Sequence, residues 1–164
     1  MPYWKLLYHI VWSTKERLPL LTRSAESQVY GFIRGKAVGL GATVFALGGT
    51  EDHVHVVAAI PPRIAVARFI GQIKGVASAR YNKAHPESPI YWQAEYGVFS
   101  FDAKRLPNYV SYVERQKEHH TQRTTIPLLE RIEGRGVQLL FREEQEPYAA
   151  TDSEWWQEMY ARGT

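Results

Sequence analysis

The sequence places two histidines on either side of one aliphatic residue, in the segment EDHVHVV at residues 51–57. The apolar residues around them are typical of a buried strand. Because strand side chains alternate between two faces, we expect His53 and His55 to point the same way, roughly 7 Å apart at the backbone, with Val54 facing the opposite side. Two neighbouring imidazoles are suited to a metal ion or a phosphate, although ordinary half-buried histidines show the same pattern.

A second group of polar side chains follows about 60 residues later. Tyr112, Gln116 and His120 are spaced four residues apart, so a helix would present them on one face. Val110 and Val113 belong to an adjacent apolar stripe that would pack on a sheet. We therefore expect the tyrosine and the glutamine to be directed toward the strand histidines.

The surrounding pattern predicts the elements that would position these residues. It indicates a strand at 3–13, a helix at 24–40, strands at 42–48 and 53–60, a helix at 64–83, a strand at 90–101 and a helix at 104–120. This β-α-β-β-α-β order predicts an α+β fold of the ferredoxin-like (RRM-like) type. Its four-stranded antiparallel sheet would carry helices on one face, plus a following helix that bears Tyr112.

The charge divides the chain into two parts. Residues 1–124 carry 16 Lys/Arg against 9 Asp/Glu, whereas residues 125–164 carry 4 against 8. We expect a main domain at residues 1–123 and an acidic C-terminal extension at 124–164, packed on the main domain or swapped with it. In the extension the pattern weakens to a short helix near 128–132 and a short strand at 136–141. A basic body is common in nucleic-acid binders, but an ordinary charged surface gives the same balance.

Composition excludes several other classes. The chain has 164 residues, is 45% hydrophobic and contains no cysteine, so disulfides, thiolate zinc sites and cysteine nucleophiles are excluded. No apolar run approaches membrane-spanning length, and the start lacks a signal-peptide pattern. We therefore expect a globular cytoplasmic protein.

Together the two groups of residues resemble the single-tyrosine HUH transposases of small bacterial insertion sequences. That family includes the insertion-sequence-200-like transposases and the REP-associated tyrosine transposases. The resemblance covers nearly all of residues 3–123 and would make residues 1–123 a single-tyrosine HUH domain. It rests on five motifs in the same order: WSTK at 12–15, DHVH at 52–55, IKG at 73–75, WQ at 92–93 with YGVFS at 96–100, and YVERQKEHH at 112–120.

The resemblance implies a ferredoxin-like transposase that cleaves and rejoins single-stranded DNA. His53 and His55 would be metal ligands and Gln116 the third ligand. Tyr112 would attack a DNA phosphate and form a covalent 5′-phosphotyrosine, leaving a free 3′-hydroxyl. The general base stays unassigned, and His120 is an accessory candidate because it shares the helix face.

The expected cofactor is a divalent metal, Mg²⁺ or Mn²⁺. Two imidazoles and an amide oxygen favour Mn²⁺ or another transition metal, while the resemblance keeps Mg²⁺ open. No nucleotide cofactor and no membrane partner are expected.

The expected partner is a single-stranded DNA hairpin, and the protein is expected to associate with the bacterial nucleoid when it binds DNA. Basic side chains that follow the DNA backbone are typical of such sites, and the candidates are Lys15, Arg17, Lys74, Lys104 and Arg105. The resemblance also implies a homodimer, and whether the site forms within one chain or between two stays open.

Three other classes compete with this interpretation. Histidine-triad hydrolases need a third histidine, but Val57 stands at that position. A structural metal site is disfavoured because cysteine and a clear fourth ligand are missing. A non-catalytic or domesticated single-stranded nucleic-acid-binding protein of the same fold remains the principal alternative.

Overall fold

The protein folds around one four-stranded sheet in the computed structural model, which describes residues 2–133. The strands are β1 (Leu7–Ser13), β2 (Thr43–Gly49), β3 (His53–Ala59) and β4 (Gly97–Ser100). All neighbouring strands are antiparallel, and their order is β2-β3-β1-β4. The predicted ferredoxin-like fold is therefore confirmed. The strand predicted at 136–141 lies outside the described residues.

One face of the sheet packs against two long helices, α1 (Arg23–Gly39) and α2 (Val66–Ala84). Ile10 and Trp12 of β1 and Val54 and Val56 of β3 point into this core and are fully buried. We call this side of the sheet the aliphatic face. Each fully buried aliphatic side chain contributes roughly 1.5–3 kcal/mol, so this face carries much of the stability of the domain.

The opposite face packs against three shorter helices. These are α3 (Leu106–Glu114), α4 (Gln116–Gln122) and α5 (Pro127–Glu130). Val113 of α3 and Leu129 of α5 form a small second core with Ala46 and Val57 of the sheet. The predicted tyrosine helix therefore packs across the sheet from α1 and α2.

Two glycines allow these helical segments to lie directly on the sheet. A Cβ at Gly48 would collide with the carbonyl of Val113, and a Cβ at Gly97 would collide with the carbonyl of Arg131. The two close approaches hold α3 and the chain around α5 against the sheet.

The fourth strand is shorter than the predicted range of 90–101, because the chain before Gly97 turns its carbonyls away from the sheet. The Lys74 ammonium donates to the carbonyl oxygens of Gln93 at 2.7 Å and of Ala94 and Glu95 at 3.4 Å. These carbonyls are directed at a lysine of α2 and not at the neighbouring strand. Before β4, a single bridge joins Trp92 to Thr14.

The helix predicted over 104–120 is also interrupted. A 3-10 turn at Ala103–Arg105 precedes α3, and Arg115, with φ −104° and ψ 22°, separates α3 from α4. Tyr112 therefore lies on α3 and Gln116 begins α4. Among residues 2–133, no helix is long and apolar enough to span a membrane.

Candidate active site

Strand β3 presents its two histidines to the side of the sheet that faces α3, as the alternation predicts. His53 is 1% exposed and His55 is 0% exposed, and their ring centroids lie 5.0 Å apart. Their strand neighbours Val54 and Val56 belong to the opposite core. We call the side that carries His53 and His55 the polar face.

The Nδ1 atom of His53 contacts two side chains at the end of the β2–β3 hairpin. Nδ1 lies 2.6 Å from Asp52 Oδ1 and 2.8 Å from Thr50 Oγ1. Burial opposes the charged imidazole, but the carboxylates of Asp52 and Glu130 outweigh burial and raise the pKa of His53 to about 9. The hydrogen bond with His53 holds the pKa of Asp52 below its ordinary value.

The Nδ1 atom of His55 contacts a neutral imidazole, that of His9, and not a carboxylate. This Nδ1 lies 2.9 Å from Nε2 of His9 on the neighbouring strand β1. Burial lowers the pKa of His55 despite the nearby Glu130 carboxylate. Burial and the proximity of His55 together lower the pKa of His9 to about 3.

The break at Arg115 does not separate the helical side chains. The Gln116 side chain donates from Nε2 to the carbonyl of Tyr112 at 3.3 Å, which turns its Oε1 to within 3.3 Å of His53 Nε2. The His120 ring lies 4.7 Å from the His53 ring between centroids. The Tyr112 ring meets the His55 ring edge-on at 6.0 Å. All five predicted site residues of β3, α3 and α4 therefore lie together within one chain.

Glu130, which none of the sequence motifs predicted as a site residue, stands at the centre of this group. Its Oε2 lies 3.3 Å from His53 Nε2 and 3.1 Å from His55 Nε2. Its Oε1 accepts a hydrogen bond from the Tyr112 hydroxyl at 2.5 Å and lies 3.6 Å from His120 Nε2. One carboxylate thus touches both strand histidines and the tyrosine.

The electrostatics of this carboxylate follow from its neighbours. Burial opposes its ionisation, but hydrogen bonds from His53, His55 and Tyr112 lower the pKa of Glu130 far below its ordinary value. Burial, assisted by the Glu130 carboxylate, raises the pKa of Tyr112 to about 12. The tyrosine is therefore held as a neutral hydroxyl that donates to an ionised carboxylate.

The donor atoms suit a divalent cation. Ligands about 2.1 Å from an octahedral ion stand roughly 3 Å apart. The His53 Nε2 atom lies 3.3 Å from both Gln116 Oε1 and Glu130 Oε2, and His55 Nε2 lies 3.1 Å from Glu130 Oε2. Donor atoms of His53, His120 and Glu130 also lie within 4.8 Å of one another. A carboxylate adds the oxygen donor that Mg²⁺ and Mn²⁺ prefer.

The five basic candidates occupy different surroundings. Lys15 and Arg17 are exposed in a turn after β1, where the Arg17 guanidinium lies 4.0 Å from the carboxylate of Asp52. Lys104 and Arg105 are exposed just before α3. Lys74 is 8% exposed, and its three backbone carbonyl partners occupy the ammonium. Lys74 therefore holds the chain before β4 in place, and its predicted contact with DNA stays a prediction.

A weak signal for Glu130 exists in the sequence. The pair Leu128-Leu129 is followed directly by a carboxylate, and burial of Leu129 in the second core fixes the residue after it over the histidines. The position of His9 in β1 is a similar signal. His9 lies on the same face of the strand as Val11, which pairs with His55, and Ser13, which pairs with His53. Neither signal has meaning before the strand register is known.

The antiparallel sheet carries the histidine pair on the face that the tyrosine helix covers, which is the arrangement expected for the predicted class of transposase. The family model described as "Transposase IS200 like" matches residues 2–116. The chain therefore belongs to the IS200-like transposase family.

Two related proteins of similar sequence are also transposases. The ISDra2 transposase TnpA of Deinococcus radiodurans is 23% identical over 121 residues, covering 70% of this chain and 86% of that protein. The transposase for insertion sequence element IS200 of Salmonella typhimurium is 28% identical over 75 residues, which is 46% of this chain and 49% of that protein.

Solved structures share the fold. A putative transposase from Deinococcus radiodurans R1 superimposes with a TM-score of 0.58 at 24% identity, covering 71% of this chain and 95% of that one. A REP-associated tyrosine transposase bound to a REP hairpin superimposes with a TM-score of 0.54 at 16% identity, covering 73% of this chain and 74% of that one.

Proposed function

We propose that this transposase cleaves and rejoins single-stranded DNA through attack of Tyr112 on a phosphodiester, assisted by a metal ion held by His53, His55 and Gln116. The observation that carries the proposal is the convergence on Glu130. The tyrosine hydroxyl and the Nε2 atoms of both histidines contact the same carboxylate. A phosphate group bound beside this carboxylate would lie close to the nucleophile and to the metal ligands at once.

The covalent step exchanges one bond to phosphorus for another. The bond from Tyr112 Oη to phosphorus forms while the bond from phosphorus to the 3′-oxygen breaks, which gives a 5′-phosphotyrosine and a 3′-hydroxyl. The tyrosine proton must leave, and Glu130 Oε1 already accepts its hydrogen bond. The departing 3′-oxygen takes up this proton from Glu130, so that no proton is gained or lost overall. Rejoining reverses the step, with a 3′-hydroxyl attacking the phosphotyrosine, so the energy of the broken bond is retained.

The metal centre would comprise the two histidines and Gln116, with Glu130 as an additional oxygen ligand. When bound, a divalent cation polarises the phosphate oxygens and stabilises the charge of the transition state. The carboxylate brings the donor set closer to what Mg²⁺ or Mn²⁺ prefers than two imidazoles and an amide alone. The chain's own contribution is to hold these donors within 3.3 Å of their neighbours before substrate arrives.

The proposed substrate is a single-stranded DNA hairpin in the bacterial cytoplasm, at the nucleoid. Support comes from the REP-associated transposase of the same fold, whose solved structure contains a hairpin. The exposed side chains of Lys15, Arg17, Lys104 and Arg105, together with Lys74, are the predicted phosphate contacts. We retain a homodimer as a prediction, and the site within one chain already contains every proposed ligand and the nucleophile.

Covalent capture of DNA tests this proposal. The probe is a pool of single-stranded hairpin oligonucleotides with randomised flanks, labelled at the 3′ end and incubated with Mn²⁺. Because a 5′-phosphotyrosine retains the 3′ fragment, the wild-type protein should carry label on a denaturing gel. Tyr112→Phe should carry none, whereas the matched control Tyr81→Phe, buried among α1 and α2, should behave as wild type. Labelled protein in Tyr112→Phe would contradict the assignment.

Replacing a histidine separates catalysis from binding. His53→Ala should abolish cleavage but retain most DNA binding in a gel-shift assay, because phosphate contacts come from many residues. Equal loss of both activities would indicate misfolding or a site that only binds. Binding without cleavage by the wild type would favour the alternative, a non-catalytic or domesticated binding protein.

A further inference from the structure

His9 is a buried histidine that the proposed chemistry does not use. It lies in β1 opposite Val57, is 0% exposed, and stands next to His55 with a distance of 2.9 Å between its Nε2 and His55 Nδ1. Its ring also lies near Phe99 and Tyr109, at centroid distances of 6.2 Å and 5.9 Å. His9 therefore sits behind the proposed metal ligand, on the side away from the donor atoms.

The direction of the His9–His55 hydrogen bond follows from elementary imidazole chemistry. A neutral imidazole carries one N–H and one lone pair. For His55 to bind a cation through Nε2, its proton must lie on Nδ1, which then donates to His9 Nε2. His9 must accordingly carry its own proton on Nδ1. The reverse hydrogen bond places the His55 proton on Nε2, where it donates to Glu130 Oε2 at 3.1 Å, so binding of a cation at Nε2 requires that this proton move to Nδ1.

We propose that His9 is a positioning residue for the metal centre: its Nε2 accepts the Nδ1–H of His55 and holds His55 in the tautomer and ring orientation that leave Nε2 free for a cation. The inference rests on the proposed ligation by His55. Through His9, strand β1 would take part in the site although none of the proposed metal ligands lies on β1.

Packing alone does not account for a histidine at this position. Among the described residues, Nδ1 of His9 has no hydrogen-bond partner. A buried polar group without a partner costs roughly 1–3 kcal/mol, whereas a phenylalanine would fill the space between Phe99 and Tyr109 without that cost. The polar contact with His55 is the one that phenylalanine cannot make.

Substitution of His9 separates positioning from packing. His9→Phe in the full chain should weaken Mn²⁺ binding about tenfold, measured by titration of free Mn²⁺ with electron paramagnetic resonance. Its melting temperature without metal should equal or exceed that of wild type. His9→Gln, whose amide oxygen can accept from His55, should restore most of the affinity. The matched control is His85→Phe, because His85 stacks on Tyr81 at 4.5 Å on α2, away from the site.

The variant His55→Ala distinguishes failure of this inference from failure of the proposed function. If His55→Ala loses Mn²⁺ binding while His9→Phe binds as wild type, His9 has no positioning role. If His55→Ala also binds Mn²⁺ with wild-type affinity, the proposed ligand set is wrong, and so is the proposed role of His9.

A second measurement needs no variant. In long-range ¹H–¹⁵N spectra of the wild type with Zn²⁺ as a diamagnetic probe, His55 and His9 should both appear protonated at Nδ1. A His9 ring protonated at Nε2 in the Zn²⁺-bound protein would overturn the inference, even if His9→Phe fails to fold.

Discussion

The two faces of the sheet bury opposite kinds of side chain. On the aliphatic face, Ile10, Val54 and Val56 meet the apolar stripes of α1 and α2. On the polar face, the alternate positions of the same strands bury His9 and His55 with 0% exposure. Both sets of residues come from β1 and β3, so the strand alternation alone separates them.

The difference shows how one small sheet serves stability and chemistry together. Apolar contacts on the aliphatic face stabilise the fold without directional requirements. The polar face instead depends on hydrogen bonds, because a buried polar group without a partner is costly. The contacts of His53 with Asp52, of His55 with His9 and of Glu130 with Tyr112 meet that requirement. Loss of an aliphatic contact should therefore affect folding, and loss of a polar one should affect chemistry.

The largest expected effect comes from the aliphatic face. Ile70→Ala on α2 removes a fully buried side chain and should lower the free energy of unfolding by about 2–5 kcal/mol, measured by urea denaturation. DNA cleavage per folded molecule should be unchanged. The control is Val38→Ala, 58% exposed on α1, whose effect should lie within about 0.5 kcal/mol of zero. A loss of cleavage by folded Ile70→Ala would show that the two faces are not separate.

An intermediate effect is expected on the polar face. Glu130→Gln keeps the size of the side chain but removes its charge, so Mn²⁺ affinity should fall about tenfold or more, and cleavage with it. Glu133→Gln, a glutamate in an exposed position, is the matched control. Unchanged metal affinity combined with faster cleavage would instead mean that the carboxylate obstructs the site.

The smallest effect is expected at the rim of the site. Lys104→Ala and Arg105→Ala should each weaken binding of single-stranded DNA and reduce the slope of log K against log salt by about 0.7. Lys74→Met is the contrasting variant, because its ammonium is buried among carbonyls. It should lower stability and leave the salt slope unchanged. A lower slope for Lys74→Met would instead support the predicted contact of Lys74 with DNA.

Much of the fold could be predicted because it depends on local periodicity. The apolar patterns located all four strands and the long helices. The bounds of β2, β3, α1 and α2 follow the predictions closely, whereas β1 begins at Leu7 and not at residue 3. The predicted strand over 90–101 was too long because a long-range contact, from Lys74 to the carbonyls before β4, overrides strand propensity. The break at Arg115 was likewise absent from the helical pattern.

The sequence by itself determined that His53 and His55 share a face and that Tyr112 and Gln116 share another, because backbone geometry fixes those spacings whatever surrounds them. Tertiary structure alone decided that the two faces meet, and it added Glu130 and His9 to the site. Glu130 lies 75 residues after His55 in the sequence, and His9 lies 46 residues before His55. No local period connects residues so far apart, and their contacts exist only because strand pairing and the close approaches at Gly48 and Gly97 bring them onto one face.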